Sequence, residues 1–64
     1  MDRVEVTRNG NSDEFSIVLT RGSDMVRCMV TVAAGPFPDE EKRRAALSMA
    51  KGLAKALDAA IEDQ

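Results

Sequence analysis

The periodicity of this chain changes at residues 35–41, which read Gly35-Pro36-Phe37-Pro38-Asp39-Glu40-Glu41. Proline donates no hydrogen bond to a sheet and restricts the residue before it, so this segment ends any strand that precedes it. The three acids that follow place negative charge where the N-terminus of a helix stabilises it. We therefore expect strands before residue 35, a Gly/Pro connection over residues 35–38, and a helix from about residue 39 onward.

Three segments before the connection alternate apolar and polar residues with a period of two, which is typical of β-strands. They cover about residues 2–8, 14–20 and 25–33, and the turns between them are short and contain glycine. Short turns join antiparallel neighbours, so the three strands are predicted to form a meander. The side chains expected on its inner face are Val4, Val6, Phe15, Ile17, Leu19, Val26, Cys28, Val30 and Val32.

Strong helix formers dominate the segment from about residue 39 to residue 62. Seven of its apolar side chains fall on one stripe of a helix, which comprises Ala46, Met49, Ala50, Leu53, Leu57, Ala60 and Ile61. We predict that the whole stripe packs on the meander and that Phe37 closes one end of the core. The predicted fold for residues 1–64 is a single small α+β domain, a three-stranded antiparallel β-meander packed on one face by a single C-terminal α-helix (β-β-β-α).

The composition excludes several classes of chemistry. The 64 residues include no His and one Cys, Cys28, which removes Ser-His-Asp and Cys-His catalysis and zinc sites built from His and Cys. Nine basic residues stand against eleven acidic ones, and no Trp or Tyr is present for bases to stack on. We therefore expect no enzymatic activity, no cofactor and no metal. A single cysteine and the lack of a long apolar run predict a cytoplasmic protein without membrane contact.

The outer face of the sheet is the first surface that the predicted core leaves over. Its candidate partner-binding residues are Arg3, Glu5, Val18, Met25, Arg27 and Met29. A polar sheet face turned toward water is the simpler interpretation of this surface. Methionine and arginine are also enriched where other proteins bind, so a docking surface for a second copy or for another protein is the functional hypothesis.

A row of small residues along one side of the helix is the second surface, and it consists of Ala45, Gly52, Ala56 and Ala59. Glycine inside a helix costs about 0.5–1 kcal/mol relative to alanine, so Gly52 suggests close approach of another backbone. That backbone belongs either to this domain's own sheet or loop or to a second copy of the chain. In the second case the row is a dimer contact.

The third surface is a basic helix stretch with no acid inside it, formed by Lys42, Arg43, Arg44, Lys51 and Lys55. A solvated helix face accounts for such a stretch. The functional alternative is a partner-binding patch that meets phosphates or an acidic protein.

The β-β-β-α order, with Arg43-Arg44-Ala45-Ala46 and Ala54-Lys55-Ala56-Leu57 in its helix, resembles the double-stranded-RNA-binding domain. The resemblance runs from about residue 14 to residue 57 and implies a nucleic-acid partner. That family's first helix has no counterpart here, and acids at residues 39–41 stand where its helix begins with paired lysines. Nucleic-acid binding is therefore the alternative function.

The leading hypothesis is a small non-catalytic protein-binding module that acts by occluding or bridging a partner. In size and in its cofactor-free character the chain resembles phage inhibitors of host nucleoprotein defence complexes, such as anti-CRISPR proteins, which implies a protein partner. A purely self-associating structural subunit is a further alternative. Two free sheet edges and a small core also predict a homodimer, with its interface at a strand edge, the outer sheet face or the small-residue side of the helix.

Overall fold

The computed structural model describes residues 2–64, which form three strands and one helix. Strand β1 spans Asp2–Arg8, β2 spans Glu14–Arg21, β3 spans Asp24–Thr31, and helix α1 spans Asp39–Glu62. The strands form one antiparallel sheet in the order β1-β2-β3, and α1 packs on one face of it. The predicted α+β fold is therefore confirmed, and each predicted boundary lies within two residues of the observed one.

The turn between β2 and β3 shows how local sequence sets the register of the sheet. Arg21 pairs with Asp24, so the loop contains two residues, and Gly22 begins it with a φ of 61°. A two-residue hairpin loop with glycine in the left-handed region at its first position matches the twist of antiparallel strands. The loop therefore fixes the alternation that places Ile17 and Cys28 opposite each other on the inner face.

The buried core lies at the end of the sheet near the turn between β1 and β2. It consists of Phe15, Ile17, Val30, Val32 and Ala46, of which Ala46 is completely buried. Because alanine has only a Cβ, the axis of α1 can approach the sheet closely at this point. Val32 follows β3, and its backbone N–H donates to the Asp13 carbonyl at 2.9 Å, which holds this end of the chain against the turn.

Charged side chains attach the first turn of α1 to the same end of the sheet. The Lys42 ammonium donates to the Asp13 carboxylate at 2.7 Å, and the Lys42 side chain is only 10% exposed. The Arg8 guanidinium donates to the Asp39 carboxylate at 2.8 Å and lies 6.0 Å from the centroid of the Phe15 ring. The helix is thus fixed at its N-terminal end by ion pairs as well as by the core.

The prediction that the entire apolar stripe of α1 lies in the core is wrong. Ala46 is buried and Ala50 is half-buried, whereas every residue from Lys51 onward is exposed. A 24-residue helix is about 36 Å long, whereas an eight-residue strand spans about 26 Å, so the helix is longer than the sheet that it covers. Met49, Leu53, Leu57, Ala60 and Ile61, which belonged to the predicted stripe, remain exposed.

The inner face of the sheet is also only partly covered. Val4 and Val26, which were predicted to be inner-face core residues, are exposed and line the open cavities between α1 and the sheet. Phe37 does not close the core either, since half of it is exposed and its ring lies over Gly35. A Cβ on Gly35 would lie 2.9 Å from that ring, and the φ of Gly35 is 149°, so glycine is required there.

We expect Asp13→Ala to lower the free energy of unfolding by about 1–3 kcal/mol, because it leaves the largely buried Lys42 ammonium without its partner. Urea denaturation followed by circular dichroism measures the change. The matched control is Arg44→Ala, since Arg44 lies 3.5 Å from Glu40 and both side chains are highly exposed. This control is expected to change stability by less than about 0.5 kcal/mol. Equal effects of the two substitutions would contradict a special role for the Lys42–Asp13 pair.

Candidate protein-binding groove

An open apolar groove lies between the second half of α1 and the uncovered end of the sheet. Its volume is about 480 Å³. The apolar side chains that line it are Leu19, Val26 and Cys28 from the sheet and Ala50, Leu53, Ala54, Leu57 and Ile61 from the helix. We call this feature the helix–sheet groove. An adjacent cavity of about 330 Å³ shares several of these residues and extends toward Val4 on β1.

The groove arises because the apolar face of the sheet and the apolar face of α1 move apart toward the C-terminal end of the helix. On the strands, alternation places Leu19 and Val26 opposite each other on the inner face. On the helix, Leu53, Leu57 and Ile61 recur at intervals of four residues and face the sheet. These three side chains are 47%, 47% and 59% exposed, although their positions on the helix are those of core residues. The two walls therefore offer apolar area that this chain does not itself bury.

Charges of both signs surround the groove. Asp58 lines the groove, and Lys51 lines the adjacent cavity. The Arg27 guanidinium does not contribute to this charge, because it lies on the opposite face of the sheet and donates to the Ser16 hydroxyl at 3.1 Å. At the open end of the sheet, the Arg21 guanidinium donates two hydrogen bonds to the Asp2 carboxylate, at 2.7 and 2.8 Å. These bonds lower the pKa of Asp2 below its ordinary value and raise the pKa of Arg21. An apolar floor with a rim of mixed charge suits apolar protein side chains better than phosphate groups.

The structure brings the predicted outer-face residues together on the side of the sheet opposite α1. Glu5, Val18 and Arg27 form one row across the three strands. Met25 and Met29 occupy the rows on either side of Arg27 and are both exposed, whereas Val18 is half-buried. The remaining predicted residue, Arg3, forms an ion pair with Glu5 at 2.7 Å. Arg27 therefore separates the two methionines, and binding by this face stays a prediction.

The small-residue row of Ala45, Gly52, Ala56 and Ala59 is exposed along its whole length. A Cβ added to Gly52 would meet no heavy atom within 4 Å in the part of the chain that the structure describes. The interpretation that the protein's own sheet or loop approaches Gly52 is therefore wrong. Contact with a second copy along this row stays a prediction.

The five residues of the basic helix stretch do not form one patch. Lys42 turns toward the sheet and pairs with Asp13, and Arg44 lies 3.5 Å from Glu40. Lys51 lines the cavity beneath the helix, while Arg43 and Lys55 are exposed elsewhere along it. The basic helix stretch therefore does not provide the continuous positive surface that binds a nucleic-acid backbone, and two of its five side chains lie near carboxylates.

Cys28 is a half-buried free thiol in the wall of the groove. Within residues 2–64, no group of three or more His, Cys, Asp or Glu side chains is placed to hold a metal ion. The helix in this described part of the chain is not apolar enough over its length to cross a membrane. Comparison with protein-family models, with curated proteins and with solved structures found no match.

Sequence reasoning missed the groove because it assigned both of its walls to the core. Leu53, Leu57 and Ile61 have the spacing of a buried stripe, and Val4 and Val26 have the alternation of a buried strand face. The signal that could have revealed the groove is a mismatch in length. The predicted helix extends over about 36 Å, and the predicted strands are several ångströms shorter.

We expect Gly52→Ala to raise the free energy of unfolding by about 0.5–1 kcal/mol, because alanine is the better helix former and a Cβ meets open space there. Thermal unfolding measures the gain, which corresponds to a rise of several degrees in Tm for a domain of this size. The reverse substitution at a neighbouring exposed position, Ala56→Gly, is the control and should lower Tm by a similar amount. A loss of stability in Gly52→Ala would show that another backbone contacts this position.

Proposed function

We propose that this chain is a non-catalytic protein-binding module that occludes or bridges a partner surface, and that it binds through the helix–sheet groove. The observation that carries the proposal is the exposure of Leu53, Leu57 and Ile61 over an uncovered inner sheet face. Apolar patches with polar rims mark protein-interaction sites on small soluble proteins. The floor of this groove is of that kind, and Asp58 and Lys51 lie beside it.

The fixed end of the domain supports binding without a large rearrangement. Lys42, Asp13 and the buried Ala46 hold the first half of α1 against the sheet whether or not the groove is filled. A surface that exists before binding loses little conformational entropy when a partner enters it. Binding free energy can then come from burying the exposed leucine and isoleucine side chains, at about 25 cal/mol for each Å² of apolar surface.

The same mechanism suits a phage-type inhibitor of a host nucleoprotein complex, which would act by covering a surface that the complex needs. It suits a bridging subunit equally, since both need only a stable apolar contact. Binding of this kind takes place in the cytoplasm, where a single cysteine such as Cys28 stays reduced.

Capture of a partner from native cells by the tagged chain tests the proposal, with Leu57→Asp as the variant of the groove. A partner that covers the groove would have to bury the new carboxylate without a partner charge, which costs free energy, so we expect the variant to capture no protein. Ala56→Asp is the matched control, because the neighbouring residue is exposed and does not line the groove. Circular dichroism establishes that both variants are folded.

Retention of the captured protein by Leu57→Asp would contradict binding through the groove. Loss of the protein in Met29→Asp alone would instead assign binding to the outer sheet face. Capture that disappears on nuclease treatment would support the nucleic-acid alternative and overturn the proposed function.

A further inference from the structure

We infer that the occupant of the helix–sheet groove is a second copy of this chain, in a two-fold symmetric dimer. In this dimer the second half of α1 from each copy would cover the uncovered sheet face of the other. The inference rests on the proposed function, because it uses the same groove and names the protein that binds there.

The accessible surface of the chain is the first observation that favours a second copy. A compact monomer of 6.9 kDa is expected to expose about 4,000 Å². This chain exposes 5101 Å², an excess of about 1,100 Å² over that expectation. In a stable dimer of ordinary size each partner buries about 800 Å². The excess is therefore large enough to supply one such interface on each copy.

The shape of the chain agrees with its surface area. The radius of gyration is 12.9 Å, whereas about 10.7 Å is expected for a compact domain of 64 residues. The molecule measures 40 × 25 × 16 Å, so it is long and thin. The unfilled groove contributes to this shape, because α1 continues past the region where it packs on the sheet. A second helix in the groove would make the assembly compact.

The two walls of the groove can pair with the same two walls of a second copy. A two-fold axis brings each surface against the same surface of the other copy, so the contact must be complementary to itself. The groove provides a projecting helical wall with Leu57 and a receiving sheet wall with Val26. Charges of both signs lie beside it, Asp58 in the groove and Lys51 in the adjacent cavity, and opposite charges can pair across the axis where charges of one sign would repel.

The small core gives the reason that a second copy would stabilise the fold. Within residues 2–64 the structure shows five buried residues, and all five lie at the end of the domain near the turn between β1 and β2. Small domains bury a low fraction of their surface, and a binding event that occurs only in the folded state adds directly to stability. Filling the groove with leucine and isoleucine side chains would extend the core along the full length of the sheet.

Sedimentation equilibrium from low to high micromolar concentration tests the inference. We expect the wild type to reach twice the 6.9 kDa of one chain, and Leu57→Asp to remain at 6.9 kDa. Ala56→Asp is the matched control and should still dimerise, because Ala56 lies outside the groove. Loss of the dimer in Ala56→Asp together with its retention in Leu57→Asp would assign the interface to the small-residue row and overturn the inference.

The thiol of Cys28 provides a second measurement, which does not depend on any variant folding. Cys28 lines the groove, so its reaction with a chromogenic disulfide in the wild type should slow as the groove fills. We expect the rate to fall by about tenfold across the concentration range, in step with the mass, since labelling follows the open population. The rate in urea gives the value for a fully accessible thiol.

The combined results separate failure of the inference from failure of the proposed function. A monomer whose Cys28 is protected only by a captured partner of another sequence would overturn the second copy as occupant but keep the groove as a protein-binding site. A monomer in which neither concentration nor a captured partner protects Cys28 would overturn both. A dimer that leaves the Cys28 rate unchanged would place the interface elsewhere and overturn the inference.

Discussion

The ion pair between Lys42 and Asp13 is the contact on which the arrangement of helix and sheet depends. It joins the first turn of α1 to the loop between β1 and β2, where the buried residues also lie. Because both the apolar core and the ion pairs between α1 and the rest of the domain are at this end, α1 is held at one end of the sheet only. The position of the C-terminal half of α1 therefore depends on the direction in which the helix runs from this attachment.

Attachment at one end determines which apolar side chains are available to a partner. Ala46 can lie against the sheet because it is small, whereas Leu53 and Leu57 face a sheet that α1 does not reach closely. The result is a groove whose walls resemble the interior of a protein but are open to water. This exposed apolar area is the basis of both proposals.

The fold could be predicted because its determinants are local in sequence. Alternation before residue 35, two short turns, the prolines and the acids at residues 39–41 each act within a few residues, and together they specify the meander and the helix. Burial could not be predicted in the same way. Leu57 and Ala46 occupy the same helical stripe, and only the relative lengths and the attachment of the elements decide that Ala46 is buried and Leu57 exposed. Which backbone approaches Gly52, if one does, likewise depends on distances between elements, and the periodicity of the sequence does not contain those distances.

The N-terminal half of α1 packs on the core, whereas its C-terminal half lines the groove. This division affects which substitutions the protein can accept during evolution. Phe15 and Ala46, which are buried in the core, do not line the groove, and Leu53 and Ile61, which line it, do not belong to the core. Cys28 and Ala50 are shared by both regions. Substitutions at Leu53 or Ile61 can therefore change the shape of the groove while the buried core keeps its packing. If the same residues formed both the core and the groove of this 64-residue chain, most substitutions in the groove would also destabilise the fold.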